Sequence, residues 1–298
     1  MDGRYLALLA IIFAALAGAG NPVFSKISLE EIPPLSFIFI RFFLALLFIF
    51  PLFLREKPKF NKDILKVALI SLFSTANIVL FVFGIRLTTA TGAQMIYAFV
   101  PIMTAVIAYF LIKEYFTSRK IKGIFLGFLG TMLIVLLPLI GQPSPLKGNF
   151  LGNLLILAGA TLYSFYPVFS KKLQARYSPT YLTFVFLAVT TIIHLFLLPI
   201  ELATHPHWFQ AVSLNSWLAL LYVAVFGTII FYLLTQYAIK HGSAVIGATI
   251  LYLQPIATFG WAAVLLGEKL TPGLVIGGLM VLTGAYLVTQ AHNRSAKQ

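Results

Sequence analysis

Apolar residues along this chain run in blocks instead of alternating with polar ones. Blocks of about 20 residues, each enough to cross a hydrocarbon core of about 30 Å, stand at 5–25, 34–54, 64–85, 91–112, 121–139, 150–170, 179–200, 214–239, 243–266 and 272–290. The pattern predicts an all-α polytopic membrane protein with ten transmembrane helices. Joints between the blocks are short and hold most of the charge, as in Arg55-Glu56-Lys57-Pro58-Lys59 and Thr117-Ser118-Arg119-Lys120. They leave no room for a soluble domain.

Composition agrees with this reading. Of 298 residues 60% are hydrophobic and only 10% charged, against roughly 25% charged in soluble domains. The net charge of +13 would suggest nucleic acid in a soluble protein, but its distribution sets orientation instead. With a cytoplasmic N-terminus, sixteen Lys and Arg fall inside and only Lys26, Arg86, Lys147 and Lys269 outside, with Arg41 inside a span. That is the positive-inside bias, and it puts both termini in the cytoplasm. The chain has no cysteine, which excludes cysteine chemistry. A cleaved signal peptide over Arg4 to Ala19 competes with the first span. A duplicated pentapeptide decides against it.

That pentapeptide, Pro22-Val23-Phe24-Ser25-Lys26, recurs as Pro167-Val168-Phe169-Ser170-Lys171. The offset of 145 also pairs Pro34 with Pro179; after a longer loop at Thr204 to Trp208 it becomes 154 and pairs Pro101 with Pro255, Glu114 with Glu268, Thr117 with Thr271, Gly123 with Gly277 and Gly130 with Gly284. Two five-helix units are predicted, residues 1–142 and 143–298. Because five is odd, the second enters the membrane from the opposite side, giving the inverted-topology repeat of many secondary transporters, with the substrate site between the halves near the midplane.

The stretch Pro34 to Ala45, the joints Lys113-Glu114-Tyr115-Phe116-Thr117 and Gly267-Glu268-Lys269-Leu270-Thr271, and the glycine-rich helices after them resemble the two EamA units of the drug/metabolite transporter superfamily. The resemblance covers nearly the whole chain. It implies ten helices in the plasma (inner) membrane, cytoplasmic termini, and export or permeation of small metabolites, often amino acids. It does not fix the solute.

Prolines interrupt corresponding spans at Pro22, Pro101, Pro167 and Pro255. Each lacks a backbone donor and releases the carbonyl four residues earlier, those of Gly18, Tyr97, Tyr163 and Leu251. Such backbone is tolerated at membrane depth where it faces protein or a water-filled cavity, so these four are the expected hinges or site walls, with a plain kink as the alternative. Near them lie Asn21, Asn77, Gln94, Tyr97, Tyr163, Tyr166, Tyr252 and Gln254, neutral polar groups at depths where unpaired polarity is costly. They are the candidate substrate-binding residues; structural glue between helices is the competing role. Asn153 falls roughly on the side of Tyr163 and Pro167.

Arg41 is the one basic side chain well inside a span, where charge suggests function, although it lies close enough to a helix end to snorkel. Glu114 and Glu268 precede Thr117 and Thr271 by three residues, and each is expected to clasp the positive start of the next helix. All eight acidic residues fall in loops or at helix ends. A mid-membrane carboxylate relay therefore has no carrier, and His194 is the one imidazole within a span, a packing residue by expectation. The GxxxG pairs Gly123/Gly127 and Gly273/Gly277 are expected to pack the repeats together.

The pattern points to a permease or exporter of small organic metabolites, without cofactor or metal and without nucleic acid, working in the bilayer as a monomer, with a homodimer as the alternative. A nucleotide-sugar or phosphate-ester carrier would want more buried cations than Arg41 and Lys26. An intramembrane enzyme would need a nucleophile with a base, or clustered carboxylates at depth, and neither is visible. A non-transporting membrane protein stays open.

Overall fold

The computed structural model describes residues 3–57, 64–112, 117–139, 149–241, 243–248 and 250–295, nearly all of them helical. The helices are α1 (Gly3–Ala19), α2 (Asn21–Ser28), α3 (Pro34–Arg55), α4 (Ile64–Ile85), α5 (Ala90–Tyr97), α6 (Val100–Ile112), α7 (Ser118–Leu136), α8 (Phe150–Leu173) and α9 (Pro179–Thr204). Then come α10 (Leu214–Ala224), a π-helical segment (Val225–Ile230), α11 (Phe231–His241), α12 (Ala244–Ala248), α13 (Ile250–Leu253), α14 (Pro255–Leu265) and α15 (Pro272–Ser295).

Seven stretches among the described residues are long and apolar enough to cross a membrane: Leu9–Ser28, Pro34–Arg55, Ile64–Ile85, Ala90–Leu111, Phe150–Leu173, Pro179–Thr204 and Leu214–His241. The spans expected at 121–139, 243–266 and 272–290 correspond to α7, the broken run α12 to α14, and α15. Four of the ten expected spans are thus interrupted. The first breaks at Gly20 and the fourth between Tyr97 and Val100; the eighth carries the π segment, and the ninth breaks before Pro255. In α8, by contrast, the helix runs unbroken through Pro167.

Start signals follow ordinary capping chemistry. Thr89 accepts from Gly92 N, Thr117 from Lys120 N, Asn149 from Leu151 N, Ser178 from Tyr181 N, and Ser213 from Ser216 N. Thr271 likewise caps α15 at Leu274 N, 3.3 Å away, with Pro272 as the first helical residue. This is the expected cap-plus-proline start.

Helix pairs bury their apolar faces against each other: α3 on α9, α4 on α8, α1 on α11, α2 on α10, and α7 on α15. The last pair crosses at glycines. A Cβ added to Gly123 would sit 2.7 Å from the Gly284 carbonyl oxygen, and one on Gly130 would sit 2.6 Å from that of Gly277. Small residues let these backbones touch, as the GxxxG spacing predicts.

Polar ties gather the loops onto two faces. On one face Glu201 accepts from Leu35 N (2.9 Å) and Ser36 N (2.6 Å), Glu31 from Ser213 N (2.6 Å), and Ser28 Oγ donates to Ser216 O (2.8 Å). Lys26 Nζ donates to Thr88 O on that same face. On the other face Lys171 Nζ donates to Ile239 O (2.8 Å) and Lys240 O (3.0 Å), Gln174 to the Gln236 amide oxygen (2.6 Å), and Ser178 to Glu56. The duplicated pentapeptide now has a local reason. Its valine is fully buried in both copies, and its lysine neutralises carbonyls near the end of another span.

Candidate functional site

Between the helices lies a cavity of about 40 Å³, room for about three waters. Its wall comes from interrupted segments. Gly18, Asn21 and Pro22 flank the break in the first span; Gln94 and Tyr97 end α5; Leu251 and Gln254 end the short turn before Pro255; Gly227 lies in the π segment. Asn77, Ile78 and Phe81 of α4, Tyr163 of α8, and Phe231 and Tyr232 of α11 complete it. All four residues whose carbonyls the prolines release, Gly18, Tyr97, Tyr163 and Leu251, line this one space. The four prolines are far apart in sequence, and the fold converges their weakened turns.

Six of the eight candidate binding residues are on the wall: Asn21, Asn77, Gln94, Tyr97, Tyr163 and Gln254. Tyr166 is not. Buried one turn along α8, it packs against Phe186 at 5.6 Å between ring centroids, outside the cavity. The side chain of Tyr252 lies outside the described residues. Asn153 serves as glue instead, donating to Ile134 O at 3.1 Å and accepting from Thr88.

The wall is partly self-satisfied. Gln94 Nε2 donates to Gln254 Oε1 (2.8 Å) and, more weakly, to the Leu251 carbonyl (3.4 Å), while Tyr97 donates to Asn77 and Ser25 Oγ to Asn21 Oδ1 (3.1 Å). Two polar groups on the wall have no protein partner, the hydroxyl of Tyr163 and Nε2 of Gln254. Buried polar groups are nearly always hydrogen-bonded, so these are places for water or solute. Gly18 is glycine for a packing reason, since a side chain there would collide with the Gln254 amide.

Arg41 does not snorkel. It is fully buried and reaches across to the π segment, where Nε donates to Thr228 Oγ1 (2.6 Å) and Nη2 to the Gly227 carbonyl (3.2 Å). Its head sits 5.2 Å from the Phe42 ring centroid. A π-helix shifts the backbone bonding by one residue, and Arg41 takes up one of the carbonyls of that segment.

Glu268 corrects an expectation. It clasps the start of α5, not of α15: Oε1 accepts from Ala90 N (2.7 Å), and Oε2 from Thr91 N (3.0 Å) and Thr91 Oγ1 (2.7 Å). Gly267, with φ of 64°, makes the turn that delivers it, and Glu268 N closes on Ala262 O at 3.1 Å. Glu114 lies outside the described residues. Glu201, one of the eight acids expected in loops or at helix ends, sits in the last turn of α9 and makes the equivalent clasp on the start of α3. His194 is fully buried, with Nδ1 2.8 Å from Thr190 O.

The sequence profile of the EamA-like transporter family matches residues 5–136 and again residues 150–290. The chain belongs to this family. An uncharacterized transporter of Archaeoglobus fulgidus is 29% identical over 97% of this chain and 98% of its own length. A probable amino-acid metabolite efflux pump of Escherichia coli is 27% identical over 95% of this chain and 93% of its own length. A protein crystal structure superposes with a TM-score of 0.67 at 17% identity, covering 97% of this chain and 98% of the other. That likeness concerns the fold alone. Family and relatives agree with the expectation of a multi-pass membrane transporter.

Residues missed from the sequence include Tyr232, Phe231 and Gly227. Tyr232 carried a usable signal, a phenol deep in an apolar span. The π segment Val225–Ile230 carried only the Gly227-Thr228 pair.

Proposed function

We propose that this EamA transporter carries a small organic metabolite, amino acids being the leading class, by alternating access between two inverted five-helix halves, 1–142 and 143–298, in the plasma membrane with both termini cytoplasmic. The observation that carries the reading is the cavity in which all four proline-released turns converge with amides and phenols. Weakened backbone around a small polar space is how discontinuous helices build a mid-membrane site.

The inverted arrangement is supported by matched ties. Adding the offset of 145 to Glu56 gives Glu201, and adding it to Pro34 gives Pro179. Glu56 meets the cap of the helix starting at Pro179, and Glu201 clasps the helix starting at Pro34, on opposite faces. The same offset relates Lys26 to Lys171, which also serve opposite faces. The efflux-pump name of the Escherichia coli relative favours amino-acid metabolites. The acids Glu201 and Glu268 are engaged as helix clasps, so solute is expected to move down its own gradient. A monomer suffices for this mechanism, since the cavity is built within one chain.

Proteoliposomes holding the purified protein should equilibrate one or more radiolabelled metabolites with an external pool, and an uncoupler should leave the final level unchanged. A protein shown to be correctly inserted that moves no solute in a broad amino-acid and metabolite panel would count against the reading.

A further inference from the structure

The buried guanidinium of Arg41 has work left undone. Of its donors, Nε is used by Thr228 and one Nη2 proton by Gly227, but Nη1 has no partner. Among the described residues no carboxylate pairs with it. A charge left uncompensated away from water is costly, and the two bonds that fix the fork leave its outer edge unused. Arg41 is not itself among the residues that line the cavity, but it stands directly behind that wall. Gly227, which it bonds, lines the cavity, and so do Tyr97 and Tyr232, its electrostatic neighbours.

We infer that Arg41 is the anion-recognition residue of the transport site and that the solute is an organic monocarboxylate, zwitterionic amino acids included. The inference deepens the transport reading and rests on it. Nη1 and the second Nη2 proton form the end-on edge of a planar fork, which matches the two oxygens of one carboxylate. Two further partnerless groups, Gln254 Nε2 and the Tyr163 hydroxyl, are on the cavity wall that Arg41 backs. The charge arithmetic fixes the class. One cation with no adjacent acid balances one negative charge; a phosphate ester with about two would stay uncompensated. The Asn21 and Asn77 amide oxygens each accept one internal bond and keep a second lone pair, and with the Gly18 carbonyl they give an ammonium group neutral acceptors, so a zwitterion is admitted beside a simple acid.

The test is ligand binding to the full-length protein in nanodiscs, with L-leucine and L-phenylalanine set against their amides, and with hexanoate as an acid lacking the ammonium group. The acids and hexanoate should bind and the amides should not. Arg41→Gln should weaken acid binding by about 10-fold or more, with Arg41→Lys in between because it keeps charge without the fork. The acid-against-amide comparison needs no variant, so it stands even if Arg41→Gln does not fold. Amides binding as tightly as acids would overturn the inference, as would a folded Arg41→Gln with wild-type affinity. Silence of all acids up to about 10 mM, an affinity weaker than about −3 kcal/mol, also overturns it. The transport reading would then still hold if other solutes are moved in the wider panel, and would fall with it only if none is.

Discussion

Glu268 and Thr91 are joined twice, through the backbone N–H of Thr91 at 3.0 Å and its hydroxyl at 2.7 Å, both donated to one carboxylate oxygen. The other oxygen takes Ala90 N, so the anion occupies the positive start of α5. This helix carries Gln94 and Tyr97 into the cavity. The clasp therefore sets the position of the site wall.

Replacing Glu268 by Ala should remove three charge-assisted bonds and leave buried donors without partners. The expected loss is on the order of 2–4 kcal/mol, read as a lower unfolding temperature in detergent. Glu268→Gln should lose less, since one amide oxygen still accepts. Equal stability of wild type and Glu268→Ala would show that water replaces the clasp at no cost.

Both copies of the pentapeptide are helical, but what precedes them differs: the helix is interrupted at Gly20, just before Pro22, whereas α8 runs without interruption through Pro167. Under the proposed alternating access, such a difference between the two copies is what one state of the cycle calls for. Pro22→Ala restores a backbone donor and favours a continuous first span, so transport should slow by roughly 10-fold with expression intact. Pro167→Ala should slow the opposite half-cycle. Wild-type rates in both variants, in correctly inserted protein, would reduce the duplicated motif to lysine anchoring alone.

Contact between α7 and α15 leaves no room for a methyl group. A Cβ on Gly284 would come within 2.5 Å of the Gly123 carbonyl and 2.7 Å of Gly127 N, which are backbone atoms that cannot rotate away. Gly284→Ala should cost about 1–3 kcal/mol as an overpacked contact. Gly260, where a Cβ meets nothing within 4 Å, is the matched control, and Gly260→Ala should leave the unfolding temperature nearly unchanged.

Glu31 offers a pH-dependent tie outside the spans. The Ser213 amide, followed by the Ser216 and Ser213 hydroxyls, holds its carboxyl below the ordinary value of 4.5. A depressed carboxylate stabilises the fold above its unfolded value and loses that contribution as pH falls through the lower, folded one. Glu31→Gln should therefore lower the unfolding temperature slightly at about pH 7 and make little difference at about pH 3. A gap between variant and wild type that persists unchanged at acid pH would contradict the tie.

Much of this was legible because membrane helices announce themselves by length, and because Pro22, Pro101, Pro167 and Pro255 release carbonyls by a purely local rule. Their convergence on one cavity needed no long-range knowledge beyond the repeat. Other features depend on which helix lies opposite. The sequence around Glu268 looks like an N-terminal clasp for α15, yet the turn at Gly267 throws the carboxylate to α5 instead. Glu201 reads as a loop or helix-end acid until α9 is laid against α3. The register shift at Val225–Ile230 arises inside an apolar run whose residues favour an ordinary helix equally well, and only Arg41 arriving from α3 distinguishes it. Tyr166 shows the reverse error. It lies three positions after Tyr163, but only Tyr163 turns to the cavity.

The most direct measurement of the central claim is solute counterflow in proteoliposomes, comparing wild type with Gln94→Ala. Gln94, itself buried, ties the α5 wall to Gln254 and Leu251. If the cavity is the transport site, wild type should show trans-stimulated exchange of its solute, and Gln94→Ala, folded and inserted, should exchange at about one tenth of that rate or less. Equal exchange by both proteins would place the transport path elsewhere and contradict the account.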